Sequence, residues 1–493
     1  MQAISEINES TSTGPDYIPA TFVKHFSKYA LIVICDIFTS FMVEGYVPQV
    51  WKLAYVTPIL KKENDKCDVT AYRPISVTCV FSRLFERILR YRIQKFIDQS
   101  NILSEFQHGF RKNHSTLTNL MNTYDFVTKS LENSNSVDVV YIDFQKAFDK
   151  INHSLLINKM INYNFPLYIN SWIRNFLDNR TQKVRVGLAL SDSVAVCSGV
   201  PQGSVLGPIL FSIYINDMFH LNFQSKVVSF ADDTKLFNLT KFSNLIQNDL
   251  DILYHWCLDN YVFINITKTK VIRFGKSSNS PNYKIADCSI EPVTHYTDLG
   301  VIVDENLDFN LHYIKIAKKP FVISNTIIRA FRGTSQSNLY KLFECYVMPI
   351  IMYNSIFAFP KYNYTNKLIE SIQRKFTKKL FSGTDLSYSE RLQILNTNTL
   401  EIKRLERDLI LIYKLKYGLV DCFPNSLILP TSYMQNIKSN SQSIFKPFIS
   451  KTVRLNFFPF RNLDTWNKLP HTLVSSSFRN FKQQLSLSFN FTK

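Results

Sequence analysis

The stretch VVSFADDTKLF, residues 227–237, sets two adjacent carboxylates, Asp232 and Asp233, between two short apolar arms. Locally it is a β-hairpin, because Asp is a common turn residue and tolerates unusual backbone angles. Chemically it suits a metal site, because two like charges this close repel unless a cation neutralises them. Taken alone the stretch favours the plain turn. What the rest of the chain sets beside it decides between the two.

The chain has 493 residues, room for about two to four domains. Its hydrophobic share of 45% is that of a globular protein. The net charge of +18 suits a polyanionic partner, nucleic acid first and a membrane surface second. Residues 311–420 hold 18 Lys and Arg against 7 Asp and Glu, so most of the excess lies there. The eight cysteines are scattered, with no C-x-x-C pair. That argues against a zinc module and a disulfide scaffold, and fits a reducing compartment. The nine histidines show no metal-ligand spacing. The opening MQAISEINES lacks a basic-then-apolar signal. The most apolar run near it, YALIVICDIFTSFMV, carries Asp36 and is too short to span a bilayer. A soluble, intracellular protein with no membrane partner is expected.

Hydrophobic periodicity predicts a helix over 81–99, where Leu84, Phe85, Ile88, Leu89, Ile93 and Phe96 form a stripe opposite Arg83, Arg87, Arg90 and Lys95. A second helix is predicted over 115–132, opening on a Ser/Thr pair. Residues 137–144, VDVVYIDF, read as a buried strand ending at Asp143. Residues 153–163 read as helix, 183–196 as a pair of strands, and 227–230 with 235–239 as the hairpin arms. The turn-rich stretch 275–285 reads as a loop between strands. Beyond Asn310 the pattern becomes helical and basic. The polar stretch 431–443 reads as a linker to a small C-terminal module containing LNFFPFRNLDTWNKLP.

Three segments bear on the chemistry: VVYIDFQKAFD, SGVPQGSVLGPILFSIYIND and VVSFADDTKLF. The first ends a strand with Asp143, the second is a Gly/Pro-punctuated loop running into an apolar helix, and the third is the acidic hairpin. A carboxylate at a strand end and a pair at a neighbouring hairpin tip can converge on two divalent ions about 4 Å apart, the arrangement that steadies both oxygens of a phosphoryl transfer. Magnesium suits such a site because it accepts one or two carboxylates and leaves positions for substrate phosphates.

The order D-F-x-K-A-F-D, G-V-P-Q-G-S, F-A-D-D resembles reverse transcriptases, most closely those of jockey-like non-LTR retrotransposons. Upstream, STSTGPDYIP, VPQVWKLAYVTPILKK, YRPISVTCVFSRLFERIL and SEFQHGFRKNHST are similar to the family's first and fingers blocks. Downstream, INITKTKVIRFG and YTDLGVIVD resemble its later palm motifs. YVMPIIMYNSIF, IESIQRKFTKKL, SYSERLQIL and RNLDTWNKLP resemble its C-terminal extension. The resemblance covers nearly all of the chain. One departure is Tyr17 in GPDYIP, where relatives usually carry Gly.

The resemblance implies an α+β right-hand polymerase: fingers and an antiparallel-sheet palm interleaved over 1–304, a basic, mainly helical thumb over 305–430, and a linker and C-terminal module over 431–493. It implies RNA-directed DNA synthesis from template RNA, primer DNA and deoxynucleoside triphosphates, with two Mg2+ ions, or Mn2+, as cofactors. Asp143, Asp232 and Asp233 are the implied catalytic carboxylates and metal ligands, with the Phe144 carbonyl as a further ligand. Lys268, with Lys270 beside it as the alternative, is the implied proton donor to pyrophosphate. Arg73, with Lys61 or Lys62, is the implied grip on the triphosphate. Phe148 stands where a ring excludes a ribose 2′-OH, and Gln202 and Gly203 where the nucleotide pocket lies. Leu299 and Gly300 are implied at the primer end. Arg374, Lys375, Lys378 and Lys379 share a helical side suited to a nucleic-acid backbone.

Complete elements of this kind usually carry an N-terminal endonuclease. The sequence begins almost at the polymerase's first block, so a polymerase segment whose endonuclease comes from elsewhere is expected, working in a cytoplasmic ribonucleoprotein and the nucleus. A group II intron-type or telomerase relative is disfavoured by the WNKLP block and the F-A-D-D context. A catalytically silent, RNA-binding remnant is the alternative outside enzymes.

Overall fold

The computed structural model describes residues 2–61, 66–276, 281–420 and 443–489. In chain order the strands are β1 (Leu53–Leu60), β2 (Tyr72–Val77), β3 (Val137–Ile142), β4 (Arg180–Val186), β5 (Ala189–Leu190), β6 (Val194–Val196), β7 (Lys226–Phe230), β8 (Asp233–Leu239), β9 (Lys270–Phe274), β10 (Lys284–Ile285), β11 (Cys288–Ser289), β12 (Glu291–Pro292), β13 (His295–Asp298) and β14 (Val301–Asp304). The sheet that matters most runs β12-β9-β3-β8-β7. It is antiparallel except at its β12–β9 edge. A second sheet, β2-β1-β4-β5 with β6 also on β4, joins β1 to β4 in parallel.

β3 is the centre of the fold, and all six of its residues are buried. A strand covered on both faces reads as a continuous apolar run rather than an alternation, which explains its Val-Asp-Val-Val-Tyr-Ile sequence. Val137, Val139 and Tyr141 face one hydrophobic core, while Val140 and Ile142 face another. The one charge in the strand, Asp138, is satisfied inside: it accepts from Arg273 Nε at 2.8 Å, Thr240 Oγ1 at 3.0 Å and Tyr283 OH at 2.6 Å. β3 stops at Ile142, two residues short of the span read from sequence, because its β8 partners run out at Thr234 where the hairpin turns.

The helices follow their periodicity. One spans Val80–Gln99 with Leu84, Phe85, Leu89 and Ile93 inward. Thr116–Glu132 opens on a capping box in which the Ser115 hydroxyl accepts from Thr118 N–H and the Thr118 side chain accepts in return. Residues 183–196, expected as two strands, form three, and the first begins earlier, at Arg180, because β1 pairs with it from Thr181 onward. Tyr17 adopts a φ of 54°, a left-handed conformation that suits Gly better. Its hydroxyl lies 3.1 Å from that of Tyr55, so the departure from Gly brings a contact of its own.

Beyond β14 the described chain is helical: Asn310–Ala330, Gln336–Tyr346, Met348–Met352, Asn363–Leu380, Tyr388–Ile394 and Leu400–Lys416. The stretch expected as a linker lies outside the described residues up to Ser443. Residues 443–489 pack onto the sheet-backing helix and the basic helices within one core that includes Phe237, Phe274, Ile412, Trp466 and Phe481. Polar contacts fix the seating. Arg454, buried, donates to Asp125 Oδ1 at 2.7 Å and Thr128 Oγ1 at 2.8 Å. Glu132 accepts from the backbone N–H groups of Ser450 and Lys451. Arg461 forks onto Asp408 at 2.8 and 2.9 Å. Among the described residues no helix is long and apolar enough to cross a membrane.

Because Arg454 and Asp125 are both buried, removing one charge strands the other. Arg454→Met is expected to lower unfolding stability by about 3–5 kcal/mol, measured by urea denaturation, and the pair Arg454→Met with Asp125→Leu to recover much of that loss.

Candidate active site

The acidic hairpin is a two-residue turn. Phe230 pairs with Asp233 across β7 and β8, leaving Ala231 and Asp232 at the tip. Asp233 is therefore the first strand residue, not part of the turn. The β3–β8 register pairs Ile142 with Thr234, so the next step brings Asp143 level with Asp233. Asp143 is held just past the strand end by flanking backbone bonds. Its N–H donates to Thr269 Oγ1 at 3.4 Å and its carbonyl accepts from Asn265 N–H at 2.7 Å. Gln145 N–H donates to Phe263 O at 2.7 Å, so both bonds of this bridge bypass the Phe144 carbonyl.

The three carboxylates are electrostatically uncomfortable. Loss of water pushes Asp233 up to about 7, helped by the charges of Asp232 and Asp298 and opposed by Lys235. The Asp233 side chain reaches solvent on one side, but the packed protein beneath it and the neighbouring anions dominate. Asp232 is raised by burial and by Asp143, and lowered by Arg73. Asp143 is raised by burial, offset by Lys268, whose Nζ lies 3.8 Å from Oδ2. Lys270 points elsewhere and pairs with Glu291. The surroundings separate the two lysines that sequence alone left open.

These are hard oxygen donors whose shared repulsion a divalent cation would relieve, so the set fits such an ion. As they stand, no three His, Cys, Asp or Glu side chains among the described residues enclose one. The Lys268 ammonium occupies part of that electrostatic role beside Asp143.

In the loop ahead of the Gly207–Tyr214 helix, Gln202 Nε2 donates to Asp149 Oδ1 at 2.7 Å, and Gln202 O accepts from Ser76 N–H at 2.7 Å. Gly203 sits at φ 115°, and a Cβ there would come within 2.7 Å of Ser76 O. The close approach that requires this glycine is therefore to β2 of the second sheet. Phe148 stacks on Phe211 at 4.5 Å and meets Phe110 edge-on at 6.4 Å. These contacts hold its half-buried ring in place. Arg73, on β2, acts on Asp232 across the gap between the two sheets. Lys61 N–H donates to Ala71 O at 2.8 Å, closing the β1–β2 hairpin. Lys62 lies outside the described residues. A cleft of about 390 Å³ against the second sheet is lined by Ser76, Lys146, Asp149, Arg180 and Gln202.

Leu299 and Gly300, at φ 45° and 80°, form the two-residue turn between β13 and β14. Tyr353 from the helical region donates to Leu299 O at 2.9 Å. The turn is tied to the acidic hairpin through a buried ion pair. Lys235 Nζ contacts both Asp298 oxygens, at 2.8 and 3.0 Å, and Tyr124 OH donates to the same carboxylate at 3.0 Å. Arg374, Lys375, Lys378 and Lys379 are all exposed on one side of the Asn363–Leu380 helix. Three of them are engaged with neighbours: Arg374 over Tyr388, Lys375 over Phe321 and Lys379 on Asn325.

Sequence reading passed over Gln107, Gly109, Lys235, Asp298 and Asp149, all of which contact or adjoin the site. Gln107 Oε1 accepts from Ala231 N–H at 2.9 Å, at the tip of the acidic hairpin. The available signals were slight: a polar Gln-His pair before Gly in SEFQHGF, and a lysine at an inward position of a strand.

An antiparallel sheet with Asp143 at a strand end and Asp232–Asp233 on the adjoining hairpin, accompanied by a second sheet carrying Arg73, has the α+β make-up of a right-hand polymerase. Residues 59–303 match the family described as "Reverse transcriptase (RNA-dependent DNA polymerase)" and belong to it. The chain is 27% identical to the RNA-directed DNA polymerase from mobile element jockey of Drosophila funebris over 77% of its length and 43% of the relative's. It is 29% identical to the jockey polymerase of Drosophila melanogaster over 64% of this chain and 35% of that one. It is 27% identical to the probable RNA-directed DNA polymerase from transposon BS of Drosophila melanogaster over 63% of this chain and 36% of that one. The chain thus spans less than half the length of these relatives. Among solved structures, apo telomerase from Candida tropicalis aligns with a TM-score of 0.43 and 10% identity, covering 79% of this chain and 72% of that one.

A carboxyl that holds its proton more tightly in the folded chain than in the unfolded one makes stability fall as pH rises through the interval between the two values. For Asp233 that interval runs from 3.8 to about 7. In chelator, the melting temperature is expected to carry a falling contribution from this site between about pH 4 and pH 7, one that Asp233→Asn removes. Millimolar magnesium at pH 8 is expected to raise the melting temperature of the parent chain but not of an Asp143→Asn, Asp232→Asn variant. Thermal melts with and without magnesium measure both.

Proposed function

We propose that the chain catalyses RNA-directed DNA synthesis, copying retrotransposon RNA into DNA. The observation that carries this reading is the convergence of Asp143 with the Asp232–Asp233 hairpin at the open end of the palm sheet, opposite Arg73. The partners are template RNA, primer DNA and deoxynucleoside triphosphates. The primer 3′-hydroxyl gives up its proton to solvent as its oxygen bonds to the α-phosphorus; the bond from that phosphorus to the bridging oxygen breaks, and pyrophosphate departs, taking up a proton at that oxygen. Divalent cations, two magnesium ions in this reading, held by Asp143, Asp232, Asp233 and the Phe144 carbonyl, would supply charge stabilisation at the reacting oxygens.

The chain's own groups do the rest. Arg73, with Lys61, holds the triphosphate through charge-assisted hydrogen bonds. Lys268, which lies beside Asp143 rather than in a distant loop, can deliver a proton to the leaving pyrophosphate once an incoming triphosphate draws it off that carboxylate. Gln202 and Gly203 border the nucleotide, and the Leu299–Gly300 turn supports the primer end. The ring of Phe148, braced by Phe211 and Phe110, cannot retreat from a ribose 2′-OH, and so favours deoxynucleotides. The exposed cations of the Asn363–Leu380 helix follow the phosphate backbone, which makes binding salt-dependent.

Single-turnover primer extension on an RNA template with magnesium tests the activity. Extension is expected with the parent chain. Asp232→Asn is expected to reduce its rate by at least ~10³-fold while leaving template–primer affinity within about twofold. A chain that binds RNA tightly but extends no primer would mark the fold as an RNA-binding remnant.

Phe148→Val is expected to lower discrimination against ribonucleotides by roughly 10²-fold or more. The comparison is of kcat/KM for matched deoxy- and ribonucleoside triphosphates.

A further inference from the structure

We propose that Gln107 is a positioning residue for the catalytic hairpin, holding the Ala231 peptide so that Asp232 and Asp233 present their carboxylates to Asp143. This rests on the polymerase reading above.

The segment ahead of the Thr116–Glu132 helix runs beside the edge strand β7. Ser229 N–H donates to Phe106 O at 2.9 Å and His108 N–H donates to Ser229 O at 2.8 Å, a short parallel bridge centred on Gln107. That bridge aims the fully buried Gln107 side chain at the hairpin tip. Its Oε1 accepts from Ala231 N–H at 2.9 Å and from Gly109 N–H at 2.7 Å, while Nε2 lies 3.4 Å from Ala231 O. One side-chain amide therefore contacts both the N–H and the carbonyl of the residue preceding Asp232.

The turn needs such a hold. Ala231 sits at φ 56°, and it occupies the first central position of a two-residue hairpin turn, where a positive φ favours Gly. A Cβ in that conformation disfavours the turn by about tenfold or more. Gly109 completes the clamp from the other side: a Cβ there would lie 2.3 Å from Ala231 N and 3.0 Å from Gln107 Oε1. Two residues from one segment thus converge on a single peptide, one by hydrogen bonding and one by having no side chain. An apolar side chain would fill the Gln107 volume equally well, but would leave the Ala231 and Gly109 N–H groups buried without an acceptor. A Glu would accept both bonds, but would add a fourth negative charge beside Asp143, Asp232 and Asp233. A neutral amide meets both requirements.

The test uses the full chain, with hydrogen exchange resolved to single amides alongside single-turnover extension. In the parent chain the Ala231 amide is expected to exchange as slowly as that of Thr234 in β8; an Ala231 amide that exchanges freely there overturns the clamp without any variant. In Gln107→Met, exchange at Ala231 is expected to speed up at least ~10-fold and the extension rate to fall by about 10–100-fold. Template–primer affinity and the nucleotide KM stay within about twofold, which a general loss of folding or of the nucleotide pocket would not allow. Adding Ala231→Gly, which removes the conformational penalty, is expected to restore about tenfold of the lost rate. Gln107→Met with unchanged exchange and an unchanged rate overturns the proposal, as does a loss seen in KM alone. If the parent chain extends no primer, the polymerase reading fails, and the exchange data still decide whether Gln107 clamps the turn.

Discussion

Three aspartates brought to one end of a buried sheet are the constraint around which this molecule is arranged. Asp143, Asp232 and Asp233 each hold their proton more tightly than a free side chain, first because water is displaced; at Asp232 and Asp233 neighbouring carboxylates add to this, while Lys268 opposes it at Asp143. Such a cluster opens unless the backbone beneath it is rigid. β3, buried on both faces, and the β7–β8 hairpin paired to it supply that rigidity. Cations then approach from several directions: Arg73 from β2, Lys268 from the loop before β9, and Lys235 from within β8.

Lys235 shows how the same strand serves two purposes. It lies two residues beyond Asp233, is almost fully buried, and takes Asp298 as its partner. Asp298 is the last residue of β13, immediately before the Leu299–Gly300 turn. A buried pair of this kind contributes little net stability but makes any other relative placement of its two strands expensive. The distance between the acidic hairpin and the Leu299–Gly300 turn is thereby set by one ion pair, reinforced by Tyr124 and by the Tyr141–Tyr296 stack at 4.3 Å. Tyr353 on the opposite side links the turn to the helical region, so three parts of the chain meet there.

What could be read from sequence was what is encoded locally. The helix Val80–Gln99 announces itself through its stripe, β3 through a β-branched and aromatic run interrupted only by Asp138, and the hairpin through adjacent aspartates flanked by apolar arms. That Asp143 would lie beside the Asp232–Asp233 hairpin was legible because each ends a short apolar strand segment. Lys268 and Lys270 were not separable by sequence, since only the strand boundary at Lys270 turns one toward Glu291 and leaves the other beside Asp143. Gly203 was legible as a point of close approach, but its partner was not: Ser76 is more than a hundred residues away in the chain. Lys235 and Asp298 drew no reading from sequence, because the partner that accounts for a buried lysine in the strand lies 63 residues on.

Gln107 belongs to the same class of hidden residue, and physical economy explains why. A strained turn can be held by making its own residues permissive, with Gly in place of Ala231, or by holding a less permissive residue from outside. The first course leaves the carboxylate-bearing peptide free to rotate, and rotation there would smear the positions of Asp232 and Asp233. The second keeps a single conformation, at the expense of a buried polar side chain that must come from elsewhere and find every one of its bonds. The segment that supplies Gln107 therefore had to be laid against β7 as an extra strand-like piece, with a glycine two residues on to let the two backbones touch. A site made of repelling charges favours the second solution, because its charge geometry tolerates less disorder than its fold does.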